Sequence, residues 1–238
     1  IPPPLFYTGL YELKSRIRFS SLKQKERGFS IPHTMYGINK IWRILIMYYQ
    51  TARATPGNPS VFLSPSVQEF NPFITGGNEE YWMNRIVDAM IPYLQASNIR
   101  FGRNNPDGTL SQAIADSNAG DYDFHLALHS NASPPNTPGI YRGPNIFYYV
   151  SSVNGKRMAD IIAGNFEAIY PDPNLVVTVP STTLAELRRT IAPSVLAEVA
   201  YHDNWEDANW IINNIGPIAR ALVLSLTQYF GIPLVEQK

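Results

Sequence analysis

Residues 122–129, Tyr122-Asp123-Phe124-His125-Leu126-Ala127-Leu128-His129, decide how this chain folds. Tyr122, Phe124, Leu126 and Leu128 fall on one side of a period-two alternation, and Asp123, His125, Ala127 and His129 on the other, which is the pattern of a β-strand. Read that way, at roughly 3.3 Å per residue, the two histidines stand about 13 Å apart and cannot share one metal ion. A helical reading would bring them together as in a His-Glu-x-x-His zinc site, but Leu126 stands where that motif needs its glutamate. His129 therefore ends a strand, where open α/β sheets place their ligand crevices.

Working outward from this strand, further short β-like runs are expected at 60–64, 99–103, 145–150, 175–179 and 195–200, separated by helical stretches. The helix expected over 78–96 puts Met83, Ile86, Val87, Met90, Ile91 and Leu94 at three- and four-residue spacing, with Asn78 as its cap. Further helices are expected at 155–169, 205–213 and 217–229. The fold class is therefore α/β, a single mixed, mostly parallel sheet of about six strands flanked by helices. The run Thr55-Pro56-Gly57-Asn58-Pro59 marks a boundary between an N-terminal extension, 1–57, and a single domain, 58–238. The aperiodic Pro- and Asn-rich stretch 133–144, directly after His129, is expected to be a surface loop at the rim of a cleft.

Composition removes several classes of function. The 238 residues, 45% hydrophobic and 16% charged, suffice for a sizeable core. Nineteen basic residues balance nineteen acidic ones, so no broad positive field exists to attract nucleic acid. With no cysteine in the chain, a metal has to be held by histidine and by carboxylate or amide oxygens. The longest apolar stretch near the start, Ile41 to Tyr49, carries Arg43 and falls short of the roughly 18 residues that a membrane span needs. No secretory signal is legible.

The four histidines are at 33, 125, 129 and 202. A second chemical signal is Glu198, a carboxylate within the apolar run Val195-Leu196-Ala197-Glu198-Val199-Ala200, where an unpaired charge is costly to bury. It is either paired with Arg188 or Arg189, or faces a cleft with a raised proton affinity suited to general acid–base work.

The order of these pieces resembles the zinc-dependent N-acetylmuramoyl-L-alanine amidases of the Amidase_3 type, over about residues 59–232. The resemblance is carried by Val61-Phe62-Leu63-Ser64-Pro65-Ser66-Val67-Gln68, Gly76-Gly77-Asn78-Glu79-Glu80 followed by Asn84, Leu126-Ala127-Leu128-His129-Ser130-Asn131, and Pro193-Ser194-Val195-Leu196-Ala197-Glu198. The Asn204-Trp205-Glu206-Asp207 segment resembles the family's Asn-x-x-Asp. It implies zinc as cofactor (Zn2+), His129 and Glu80 as metal ligands and Glu198 as catalytic general base. Glu79 competes with Glu80, which is favoured by the family's Glu-x-x-x-Asn spacing to Asn84. The family's first histidine ligand is missing; Gln68 takes its place through an amide oxygen or only hydrogen-bonds in the cleft, and an ungapped count lands on Val67, which cannot bind metal.

The implied reaction is hydrolysis of the amide bond between N-acetylmuramic acid and L-alanine of peptidoglycan. Peptidoglycan is then the partner, and the protein is read as a bacterial monomer, secreted or associated with the cell wall. The alternatives are a non-catalytic peptidoglycan-binding relative with a degenerate metal site, and a metallopeptidase or glycosidase on the same sheet.

Overall fold

A computed structural model describes residues 57–236, so the expected extension, save its last position, and His33 lie outside the described residues. Among the described residues six strands and six helices follow one another: β1 Ser60–Pro65, α1 Glu79–Ala96, β2 Arg100–Arg103, α2 Leu110–Ala119, β3 Phe124–Asn131, β4 Asn145–Tyr149, α3 Val153–Glu167, β5 Val177–Ser181, α4 Ala185–Arg189, β6 Ser194–Tyr201, α5 Trp205–Asn213 and α6 Ile215–Phe230. One sheet contains all the strands, in the order β2-β1-β3-β6-β4-β5. Every pairing is parallel except β4 with β6. The expected mixed, mostly parallel sheet is the one observed.

Alternation along the strands sorts the residues into two layers. Val61, Leu63, Phe124, Leu126, Leu128, Val195, Ala197 and Val199 join the main core with Met83, Ile86, Val87, Met90 and Leu94 of α1, Met158, Ile162 and Phe166 of α3, and Leu222 and Leu226 of α6. On the other face a smaller cluster joins Ala127, Leu196 and Leu187 of α4. That second layer is thin and carries the polar side chains Ser64, His125 and His129. Both faces of β3 are covered, so its alternation separates an apolar layer from a reactive one.

Local chemistry moved some boundaries. β3 begins at Phe124 because the Asp123 carboxylate accepts hydrogen bonds from the amide and hydroxyl of Ser60, at 2.7 and 2.8 Å, and is held at the strand edge. β5 starts two residues later than expected because Pro173–Leu175 forms a 3-10 turn capped by Asp172. Helix α1 starts as expected, with Asn78 Oδ1 accepting from the Tyr81 amide at 2.8 Å. Two helices escaped the periodicity, α2 and the five-residue α4.

The stretch 133–144 is irregular, as expected, and is tied down from β6 and α5. Asp203 accepts from the amides of Ser133 and Gly139, at 3.0 and 2.8 Å. Asn204 caps α5 and donates to the Gly139 carbonyl. Asp207, fully buried, accepts from Gly143 N at 2.8 Å, Tyr201 N at 3.0 Å and the Tyr170 hydroxyl at 2.6 Å. Gly143 fits because its φ is +95° and a Cβ there would lie 2.4 Å from the Leu175 carbonyl oxygen. Asn-x-x-Asp is thus a helix cap combined with a loop anchor. Asp207→Ala, which leaves three donors without their acceptor, is expected to lower stability by about 3 kcal/mol or more, read as a loss in the thermal unfolding midpoint.

Candidate active site

The polar layer converges at the carboxyl ends of β1, β3 and β6. Adjacent strands bring His129 and Glu198 directly opposite each other, and the β3–β6 register shifts immediately beyond them, between His129 and Asn131. The chain leaves β1 through Ser66, Val67 and Gln68 and returns to open α1. Two glycines with φ of +97° and +78°, Gly76 and Gly77, make the turn that delivers Asn78 and Glu79 to this edge.

His129 is the hub. Its Nδ1 lies 2.9 Å from Glu79 Oε1 and 3.3 Å from the Gln68 side-chain amide, and its Nε2 lies 3.1 Å from Glu186 Oε2. Asn71 Nδ2 donates to Glu79 Oε2 at 2.6 Å and to Gln68 Oε1 at 3.3 Å, fixing both side chains at once. Burial opposes a charge on His129, but the hydrogen bonds to Glu186 and Glu79 outweigh it and hold the imidazole well above its ordinary proton affinity. The reciprocal effect acts on Glu79: burial would raise its pKa, but His129, Asn71 and Ser66 hold it below the ordinary carboxylate value.

Of the residues singled out from the sequence, Gln68, His129 and Glu198 come together, and the acid that reaches them is Glu79. Glu80 is turned away. Consecutive helical residues diverge by about 100°, and with Glu79 on His129, Glu80 Oε1 instead accepts from Asn84 Nδ2 at 3.1 Å. Asn84 in turn accepts from Arg103. The Glu-x-x-x-Asn spacing that favoured Glu80 therefore describes a helix stripe packed against β2.

Among the described residues Glu198 meets no arginine, so pairing with Arg188 or Arg189 falls away. Its Oε2 is buried and has no hydrogen-bond partner among them. Burial, reinforced by Glu79 and Glu186 and opposed by His129, pushes its pKa up to about 7.

Glu186 was not foreseen. It is 2% exposed, accepts from the Ser64 hydroxyl, and lies between His125 Nε2, at 3.2 Å, and His129 Nε2. The two histidines that cannot share a metal share this carboxylate. Its pKa is held far below the usual carboxylate range because the bonds to His125 and His129 overcome the cost of burial. Nothing in the sequence marks it, because its partners lie about sixty residues upstream. His202 is a satisfied core histidine, bonded to Ser130 and stacked on Phe73 at 5.5 Å.

Beside His129 a cavity of about 310 Å³ is walled by Pro65, Val67, Phe70, Leu110 and Ala113, with Gln68 and Glu186 also in its lining. Val67 thus contributes apolar wall. Among the described residues no three His, Cys, Asp or Glu side chains are grouped to hold a metal ion, and the third group facing Nδ1 is the Gln68 amide. No described helix is long and apolar enough to cross a membrane.

This architecture is shared with solved amidases. AmiC2 of Nostoc punctiforme superposes with a TM-score of 0.64 at 16% identity, over 74% of this chain and 99% of that one. An N-acetylmuramoyl-L-alanine amidase from Clostridium difficile 630 gives 0.65 at 15% identity, over 73% and 97%. The catalytic domain of CwlV from Bacillus (Paenibacillus) polymyxa var. colistinus gives 0.61 at 16%, over 74% and 99%. At these identities the likeness speaks for the fold. No curated protein sequence matches. The model of the Amidase_3 family, described as N-acetylmuramoyl-L-alanine amidase, matches residues 70–228, from just after Gln68 through most of α6. By that match and by its fold, the chain belongs to the N-acetylmuramoyl-L-alanine amidases, the enzymes that hydrolyse the amide bond between N-acetylmuramic acid and L-alanine in peptidoglycan.

Proposed function

We propose that Gln68, Glu79 and His129 hold a zinc ion and that Glu198 is the general base and acid for cleavage of the muramyl–alanine amide. The crowding at His129 Nδ1 supports this reading. An imidazole nitrogen has one in-plane direction for a proton or a ligand, yet both Glu79 Oε1 and the Gln68 amide converge on this one. A proton on Nδ1 serves Glu79 but leaves the Gln68 amide nitrogen facing another donor, whereas a shared cation, with the amide turned, would serve both. Groups that would share one zinc stand roughly 3.3 to 3.6 Å apart, and Glu79 and Gln68 lie 2.9 and 3.3 Å from His129 Nδ1. Gln68 then presents its amide oxygen to the cation, an exchange of O for N by rotation about its last torsion that gives up the long hydrogen bond from Asn71.

When bound, zinc supplies Lewis acidity, polarising the scissile carbonyl and lowering the pKa of water from 15.7 to about 7. The rest falls to the protein. Glu198 Oε2, unpartnered and across the strand pair from His129, takes a proton from the attacking water. Its raised proton affinity then suits delivery of that proton to the nitrogen of the departing L-alanine, a poor leaving group unless protonated. Glu79, with Asn71 behind it, balances the positive charge gathered around Nδ1. Peptidoglycan as substrate puts the site of action at the cell wall, and we read the protein as a secreted or wall-associated monomer.

The test is release of free L-alanine amine from purified peptidoglycan, abolished by a chelator and restored by zinc. Chelator-insensitive cleavage that releases reducing sugar instead would replace this reading with a glycosidase. Wall binding without amine release would make the protein a binding relative. Gln68→His, which exchanges a neutral amide for the stronger imidazole ligand, is expected to tighten zinc binding about tenfold or more, measured by competition with a chromophoric chelator. Unchanged affinity in both Gln68→His and Gln68→Ala would remove Gln68 from the ligand set.

A further inference from the structure

Glu186 is a buried charge to which this chemistry gives no step. Carboxylates are almost never fully buried unless paired, and Glu186 is held between two histidines and a serine under the floor of the site. Each of its oxygens has an assignment. Oε1 accepts from the Ser64 hydroxyl and faces His125 Nε2 at 3.2 Å, while Oε2 faces His129 Nε2 at 3.1 Å. The far nitrogen of His125 is engaged in turn by Ser117 Oγ at 2.9 Å, and the ring stacks on Phe62. The backbone is fixed as well, since Thr190 Oγ1 donates to the Glu186 carbonyl at 2.6 Å and Leu187 packs with Ala127 and Leu196. A carboxylate secured from so many sides is a built component of the site's floor.

We propose that Glu186 is the positioning residue of the active site: by accepting the Nε2–H of His129 it fixes the ring's orientation and tautomer, leaving Nδ1 as the nitrogen that faces Glu79 and Gln68. The inference rests on the metal reading above and adds which nitrogen binds and what sets it. Without an acceptor at Nε2, the imidazole has two tautomers and two ring orientations available, and only one combination aims a lone pair at the cleft. An anionic acceptor on the outer nitrogen also makes the inner one a better donor, as carboxylates behind metal-bound histidines do. That gain offsets the weak donation of a neutral Gln68 amide.

Long-range proton–nitrogen NMR of the wild-type protein loaded with zinc is the direct test. The expected spectrum has His129 Nδ1 metal-bound and Nε2 carrying a slowly exchanging proton; zinc on Nε2 would overturn the proposal. In parallel, Glu186→Gln keeps the size of the side chain but leaves a single acceptor oxygen for three donors, and zinc affinity measured against a chromophoric chelator is expected to fall about 10- to 100-fold. His125→Asn, which leaves the Glu186–His129 contact in place, is expected to stay within about threefold of wild type, because the effect passes through His129 and not through packing of the layer. Wild-type affinity in a folded Glu186→Gln protein overturns the assignment, as does a loss in His125→Asn equal to that in Glu186→Gln. If either variant fails to fold, the wild-type spectrum decides alone. A wild-type protein that takes up no zinc would defeat the metal reading instead, and the metal-free spectrum still judges Glu186: a slowly exchanging Nε2 proton on His129 supports it, and a ring protonated only at Nδ1 overturns it.

Discussion

Glu198→Gln is expected to lower amide cleavage by about 10³-fold, within the range that a positioned acid–base group contributes, while zinc stays bound and the protein becomes more stable when stripped of metal. The two effects share one cause. A carboxyl whose Oε2 is buried without a partner is costly to ionise, and its pKa stands near 7 against an ordinary value of 4.5. Between those two pH values the native state holds a proton that the unfolded chain has released, so stability falls as pH rises through this window. Below about 4.5 both states are protonated, and above about 7 the penalty is complete, on the order of 3 kcal/mol. Glutamine has no proton to lose and removes the slope. The zinc-free variant is therefore expected to melt above the zinc-free wild type at pH 8 and close to it at pH 4. Loss of activity accompanied by a lower melting temperature would indicate damage to the sheet, and an active variant would take Glu198 out of the reaction. Opposite movements of turnover and stability mark a group held in an unfavourable state because the chemistry uses it.

The sheet was legible because its strands are short apolar runs and its principal helix repeats at three and four residues; both periods follow from backbone geometry. Strand ends were less so. Asp123 looked like the polar partner of Tyr122 in the alternation until its carboxylate proved to be bonded to Ser60, more than sixty residues away. The site was half legible for the same reason. His129 and Glu198 lie on neighbouring parallel strands in direct register, a placement implicit in strand period and sheet order. Glu186 lies on a helix of five residues, too short to display a period, and becomes part of the site only when α4 packs over β3 and β6. Nothing in Leu184-Ala185-Glu186-Leu187-Arg188-Arg189 separates a buried carboxylate from a solvated one.

Glu79 and Glu80 offer the sharpest discrimination between a motif and the geometry it summarises. Both are 1% exposed, both open α1, and spacing alone favoured Glu80. A helix cannot aim neighbouring residues in one direction, so one acid belongs to the cleft and the other to the stripe of Asn84 and Arg103. Glu79→Gln removes the anion beside His129 and places a donor or a weaker acceptor among Asn71, His129 and the Ser130 amide. Zinc affinity is expected to fall by more than about 100-fold, the upper end of the loss that outer-shell partners produce, and cleavage at limiting zinc should fall with it. Excess zinc restores part of the rate if Glu79 serves to hold the ion. Glu80→Gln keeps an oxygen for Asn84 to donate to, and zinc affinity is expected to stay within about threefold of wild type, with a stability change of about 1 kcal/mol as its main effect. Chelator competition and thermal melting on the two variants separate the roles. The reverse pattern, with Glu80→Gln losing zinc and Glu79→Gln retaining it, would require α1 to turn by about 100° when metal binds, and would restore the role that the Glu-x-x-x-Asn spacing implied.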